Sequence, residues 1–448
     1  MWKSRTCSHA SCQKAKSLLK FALPSIIMMV FMSCYTIVDG IFVSRFVGSN
    51  ALSAVNIVYP IEGIVVALAT MLATGGNAII SKHLGQGKPK EARAFMTQFI
   101  LIGLATSLLI AILVLLFLTP ICRALGSTEA LLSDCQSYLK VLILFAPACV
   151  LQIFFQSFFV TAGKPNLGLF LMIGAGLLNG VLDYILIVPL NMGVSGAAIA
   201  TGIGQLLPAV VGILFFLKPR SDLYFTPFRF HLKVIGEACY NGSSEMVSQL
   251  SNSIVTFLFN IILIRLAGAS GVAAITILLY GQFLFNAFFM GLSIGVSPVI
   301  GFQYGAGQKE HLRNTYKIIM KFTCICSVFM VVLSVLCSGF IVSVFTKDSA
   351  TFELASVGFR IFAVNFLFSG INIISSGIFT ALSNGKVSAI ISFSRTLFFL
   401  VICLVTFPYF LGITGVWLAV PAAEFLTLIL SGWMHWKYFI NKANKQYF

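Results

Sequence analysis

Five acidic side chains of this 448-residue chain fall within long apolar runs: Asp39, Glu62, Asp183, Glu245 and Glu424. A carboxylate in a hydrocarbon interior is costly unless it faces a cavity, a partner or an ion. Chemistry is therefore sought there first. Asp39 stands six residues before Arg45, and Asp183 six before Pro189, each near the outer end of its run. At 1.5 Å per residue both lie about 9 Å below that end, so they could line one cavity. Asn179, four residues before Asp183, shares its helical face. Two carboxylates close together in low dielectric make a proton site. Alternatively, Asp39, Asp183 and Asn179 could ligate a sodium ion with nearby carbonyls. Tyr35, Gln156, Gln205, Gln282, Asn286, Glu424 and Arg395 are candidates for substrate contact or gating. Arg395 could neutralise one of the acids or snorkel to the inner interface. Glu245 lies near the inner surface, and Glu62 close to mid-membrane.

The elements that must position these groups are membrane spans. Hydrophobic residues make up 58% of the chain and charged residues 9%, and the mean hydropathy is +0.99. A soluble domain carries about 25% charged residues. Twelve apolar segments are long enough to cross a bilayer. They fall near 18–46, 51–81, 94–120, 136–162, 165–189, 193–217, 238–266, 271–302, 316–345, 356–382, 386–410 and 413–437. The first is read as a retained helix, since its apolar run exceeds a signal-peptide core and no cleavage site follows. With the N-terminus inside, 23 of the 29 Lys and Arg residues fall in inner segments and 6 outside, which puts both termini in the cytoplasm.

The net charge of +16 sits in short gaps between spans, which excludes a nucleic-acid partner. The 11 cysteines include no CxxC pair and read as small buried apolar side chains. A disulfide between Cys122 and Cys135 is the one pairing their shared outer loop suggests. There is no Walker A sequence, HExxH or GxSxG, so no enzyme and no cofactor is expected. Pro24, Pro147, Pro208, Pro298 and Pro421 interrupt spans and can bend them.

The chain repeats itself. GSNALSAVNI (48–57) matches GASGVAAITI (268–277), and HLGQG (83–87) matches QYGAG (303–307), both at a spacing of 220. GVSGAAIATGIGQ (193–205) matches GITGVWLAVPAAE (412–424) at 219, which pairs Gln205 with Glu424. The expected fold is an all-α integral membrane protein with twelve transmembrane helices in two homologous six-helix lobes, residues 1–217 and 238–448, joined by a cytoplasmic linker over 218–237. Six spans per half return the chain to one side, so the lobes should be related by a pseudo-twofold axis along the membrane normal. Such repeats mark secondary transporters.

TIVDGIFVSRFVG (36–48), ATGGNAIISKHLGQG (73–87), LNGVLDYILIV (178–188), MGVSGAAIAT (192–201) and GLSIGVSPVIGFQYGAG (291–307) together resemble the MATE family, the multidrug and toxic compound extrusion transporters, in its bacterial branch. The resemblance implies an antiporter that exports small organic, often cationic or amphiphilic, compounds in exchange for H⁺ or Na⁺. It puts Asp39 on the family's first-helix aspartate, Asp183 and Asn179 on its fifth-helix pair, and Pro24 on a first-helix proline proposed to bend with protonation. Arg395 resembles a recurrent arginine of the eleventh helix. Acids that some members carry on helices eight and ten are missing here, which places coupling in the N-terminal half. The remaining expectations are a multi-pass protein of the plasma (cytoplasmic) membrane, a monomer, with the lipid bilayer and small organic substrates as partners. A flippase for lipid-linked sugars is the alternative.

Overall fold

The computed structural model describes residues 15–47, 49–219, 222–346, 348–440 and 447. The basic residues before Lys16, with Arg220, Lys347, Lys442 and Lys445, lie outside the described residues. Among those described there is no strand. Eleven helices are long and apolar enough to cross a membrane, and twelve when one bent pair counts as a span. They are α1 (Ala15–Phe46), α2 (Ser49–Gly85), α3 (Pro89–Leu116), α4 (Glu129–Leu144 with Ala146–Thr161), α5 (Pro165–Ile187) and α6 (Gly193–Phe216). The second set is α7 (Leu232–Gly268), α8 (Ser270–Gly305), α9 (Lys309–Phe345), α10 (Ser349–Ala381), α11 (Gly385–Leu411) and α12 (Ile413–Ile440). The fourth expected span is thus two helices meeting at 51°. Pro147 enters the second piece at its first turn, where a missing N–H is harmless but continuation of the preceding helix is not. Phe145, at the bend, packs on Gly202 of α6, where a Cβ would come within 2.2 Å of its ring.

The repeat is legible in backbone geometry. Gly87 (φ +74°) and Gly307 (φ +67°) end α2 and α8 in the left-handed region. At each, the glycine N–H bonds the carbonyl three residues back, Leu84 or Tyr304, and the next N–H bonds His83 or Gln303. That is a Schellman cap. The same two bonds close α4 at Gly163 (φ +73°) and α10 at Ser383 (φ +60°). Gly193 (φ +57°) and Gly412 (φ +58°) open α6 and α12.

The chain divides into two compact units. One is Ile27–Gly242. In it a Cβ on Gly75 (α2) would stand 1.9 Å from the Ala238 carbonyl oxygen, and one on Gly242 (α7) 1.9 Å from that of Met71. The inter-helix linker runs along α3 in this unit: Arg93 donates to the Asp222 carbonyl at 2.8 Å and to Tyr224 Oη at 2.7 Å, and Gln98 donates to the His231 carbonyl at 3.1 Å. The other unit is Ser243–Phe448 together with the start of α1, through Ile26. There a Cβ on Gly291 would meet Ser25 O at 2.6 Å, and one on Gly295 would meet Ala22 Cα at 2.8 Å. Gly75 corresponds to Gly295 and Gly242 to Ala22 at the 220-residue spacing. Both α1 and α7 therefore begin in one unit and continue in the other, each seated by backbone contact that only a small residue permits.

Ser383 occupies a left-handed cap without the freedom of glycine. Ser383→Gly should stabilise the protein by about 1 kcal/mol, and Gly307→Ala should destabilise it by about the same amount. Thermal unfolding of the detergent-solubilised variants against wild type measures both.

Candidate functional site

In the Ile27–Gly242 unit, α1 presents Phe31, Tyr35 and Asp39 at four-residue steps along one face. α5 presents Gly176, Asn179 and Asp183 along one of its own. Gly176 lets the two helices close: a Cβ there would lie 2.8 Å from Phe31 Cε1 and 3.6 Å from Tyr35 Cγ. Towards α6, Gly204 admits Asn179, whose Cβ would be 3.1 Å from a Cβ on that glycine. Asn179 Nδ2 reaches Thr201 Oγ1 on α6 at 3.4 Å.

One turn further out, Asp39 and Asp183 face each other closely enough to share a hydrogen bond. An ionised carboxylate only accepts, so that bond requires a proton between them. Asp39 Oδ1, Asp183 Oδ1 and Asn179 Oδ1 are all buried and, among the described residues, have no hydrogen-bond partner. Asn179 and Asp183 are 1% and 2% exposed. The three residues singled out for ion coupling are thus brought together with bare oxygens, and Tyr35 lies beside them within electrostatic reach of both aspartates. No Lys or Arg is buried among the described residues of this unit.

The other candidates disperse. Gln156 is buried and its Nε2 contacts Met29 Sδ at 3.1 Å on α1. Gln205 lines a cavity on α6. Pro24 is buried within the unbroken helix α1, in the part that packs with the C-terminal half. The phenylalanines of α4 are packing groups: Phe154 covers Gly103, and Phe155 covers Gly212. Cys122 and Cys135 are both buried, and both are free thiols.

In the second unit, Glu424 of α12 is 4% exposed and fully partnered. Asn372 Nδ2 donates to Glu424 Oε2 at 2.7 Å and to its carbonyl at 2.9 Å, and Arg395 Nη1 lies 3.5 Å from Oε1. Ser431 donates to Asn372 Oδ1 at 2.9 Å. Arg395 sits in a π-helical turn, Ser394–Phe398, and Glu245 is within its electrostatic reach. Of the two roles open to Arg395, pairing with an acid is the one realised. Asn286 accepts from Ser369 at 3.0 Å on α10, and Gln282 is half-buried on α8.

Sequence reasoning missed Asn372 and left the role of Glu62 open. Asn372 holds Glu424, and its pseudo-equivalent, Gln152, is also polar, a signal that was available. Glu62 shares the N-terminal unit's site, with Asp39 the charge that acts on it. It has no acidic counterpart in the repeat.

The MatE family model matches residues 24–185 and 246–405. The chain belongs to the MatE family. The two matched stretches end 220 residues apart, at the spacing of the internal repeat. MepA, a multidrug export protein of Staphylococcus aureus strain N315, is 27% identical over 358 residues, covering 76% of each chain. The Staphylococcus saprophyticus MepA is 27% identical over 355 residues, with the same coverage. A crystal structure of MATE in complex with MaL6 superposes with a TM-score of 0.89 at 24% identity, covering 94% of this chain and 95% of the other. A mutant of the Vibrio cholerae MATE transporter VcmN superposes with a TM-score of 0.87 at 22% identity, with the same coverage. These structures share its two-lobe, twelve-helix fold. This MatE chain is a multi-pass membrane transporter and not an enzyme.

Arg395→Met would leave Glu424 buried without its cation, which costs about 3–5 kcal/mol, whereas removing both charges together is close to neutral. Melting temperatures should fall sharply for Arg395→Met and recover in Arg395→Met/Glu424→Gln.

Proposed function

We propose that this transporter is a cation-coupled antiporter that exports small organic, cationic or amphiphilic compounds by alternating access. Asp39, Asp183 and Asn179 form the coupling site, and residues 1–217 and 238–448 act as the two lobes. The observation that carries the reading is the pair of facing carboxyls with bare buried oxygens in a unit whose described interior holds no buried cation. Such a pair must be neutralised from outside the chain, by H⁺ or by Na⁺. An incoming coupling ion neutralises the pair, and its loss restores the charge, so occupancy gives the two access states different free energies. Asp39 and Pro24 lie on one helix that runs through both compact units, which gives ion binding a direct mechanical route.

The export direction draws support from the MepA relatives, multidrug export proteins by name. A lipid-linked phosphate would need basic groups where this unit supplies carboxylates. The lysine and arginine bias supports both termini in the cytoplasm, and a plasma-membrane location and a monomeric state complete the proposal.

Reconstituted protein should accumulate ethidium when driven by one of two gradients, pH or sodium, imposed separately. Asp39→Asn, which cannot exchange the ion, should bring accumulation down to the level of protein-free vesicles. A retained gradient-driven signal in that variant would overturn the assignment of coupling to Asp39.

A further inference from the structure

We propose that Lys309, Arg313, Lys317 and Lys321 of α9 form a binding site for the phosphate headgroup of an anionic phospholipid. The inference goes beyond the export reading and does not depend on it.

The four cations follow one another at four-residue steps from the first residue of α9. Side chains at that step form one ridge on a helix, with neighbours about 5–6 Å apart. At 1.5 Å per residue the ridge is about 18 Å long. All four are exposed, while Leu312, Thr315, Ile319 and Thr323 are buried and seat the opposite face. Among the described residues none of the four makes an ion pair. Glu310 is the one acid on α9.

The ridge then changes character without changing direction. Its next two members, Ile325 and Phe329, are 60% and 58% exposed, and Val328, Val332 and Leu336 beside them are exposed as well. Large apolar side chains exposed along a membrane span meet lipid chains. Cations in line with such residues match one amphiphile, phosphate at one end and acyl chains at the other. Depth agrees with this. Tyr316 Oη, next to Lys317, lies 3.1 Å from His435 Nδ1 on α12, and its ring stacks on Phe439. Trp433 and Trp436, which flank His435, are about half exposed, and Lys437 Nζ lies 5.2 Å from the Trp433 ring centre. Exposed tryptophans settle at the headgroup level. Lys317 therefore stands at headgroup depth, with Lys309 and Arg313 on the water side and Lys321 reaching back along its stem.

Membrane orientation alone does not call for this pattern, because it needs a number of cations near span ends and no row. The repeat makes the contrast. At the 220-residue spacing the corresponding positions of α3 are Pro89, Arg93, Thr97 and Leu101. There the linker takes up the polar groups: Arg93 donates to the Asp222 carbonyl, and Thr97 Oγ1 accepts from the Thr226 N–H at 3.2 Å. The second unit has three lysines beside its arginine and no ion-pair partner for any of them. Phosphodiester oxygens are the complement, held in pairs by a guanidinium and singly by an ammonium. In the proposed orientation the row lies in the cytoplasmic leaflet, whose anionic lipids attract basic groups beside a span.

The test is native mass spectrometry of the purified full chain released from detergent, with no gradient and no drug. The protein is titrated separately with dioctanoyl-phosphatidylglycerol, dioctanoyl-phosphatidylcholine and glycerol 3-phosphate, and mass-resolved complexes give a Kd for each. Wild type should bind phosphatidylglycerol at least about tenfold more tightly than either other probe. Lys309→Gln/Arg313→Gln/Lys317→Gln/Lys321→Gln should bring the two lipids to within about twofold of each other. Lys90→Gln/Lys164→Gln/Lys218→Gln/Arg229→Gln, which removes four exposed cations from the other unit, should leave the wild-type preference in place. Arg313→Gln/Lys317→Gln should weaken the preference and serves if the fourfold ladder variant does not insert. No preference in wild type, or a full preference in either folded ladder variant, overturns the proposal. An equal loss in the control variant overturns it too, since net charge would then be the cause. Glycerol 3-phosphate bound as tightly as phosphatidylglycerol overturns the lipid assignment in favour of free phosphates.

Discussion

Carboxylates placed in a hydrocarbon interior without a cation of the protein's own are the constraint around which the N-terminal unit is built. The desolvation cost of such a charge is large, and a chain accepts it only where something neutralises the charge. Here Asp39 and Asp183 face each other and leave buried oxygens bare among the described residues. That encounter depends on helix spacing. Gly176 brings α1 onto α5, and Gly204 brings α5 onto α6. A side chain larger than hydrogen at either position would push apart the carriers of Asp39, Asn179 and Asp183. The acids supply the chemistry, and the glycines set their distance.

The second unit solves a comparable problem by the opposite route. Glu424 is as buried as Asp183, yet Arg395 and Asn372 satisfy it completely. A closed network of this kind specifies packing and leaves no free ligand position. The duplicated architecture has therefore diverged in electrostatics while keeping its backbone, down to the left-handed caps at Gly87 and Gly307 and the small-residue crossings at Gly75 and Gly295. One half carries open carboxylates and the other a paired one. This asymmetry is the basis for proposing the coupling site in the N-terminal unit.

Much of this was legible from residue order. The apolar runs located every span, with ends within about seven residues of those observed, because a bilayer demands about 20 apolar residues per crossing whatever the neighbours are. The fourth span escaped as a single helix because Pro147 breaks it, and periodicity does not report an angle. Asp39, Asn179 and Asp183 could be grouped because helical geometry converts sequence spacing into depth and face. Glu62 could not, since its relation to Asp39 and Gln205 runs between helices. The compact units were also out of reach: helices α1 and α7 each begin against the opposite half, a swap that no sequence boundary marks.

The sequence by itself determined the solvent, the number of crossings, the duplication and the residues able to hold charge in the membrane. These follow from local composition and from periods that need no knowledge of neighbours. Only the tertiary structure decided which charges meet: that Asp39 faces Asp183, that Arg395 is spent on Glu424, and that Glu62 lies within electrostatic reach of Asp39. The physical reason is that charge interactions depend on distance and dielectric across helices, and both are set by packing between helices, as at Gly176 and Gly204.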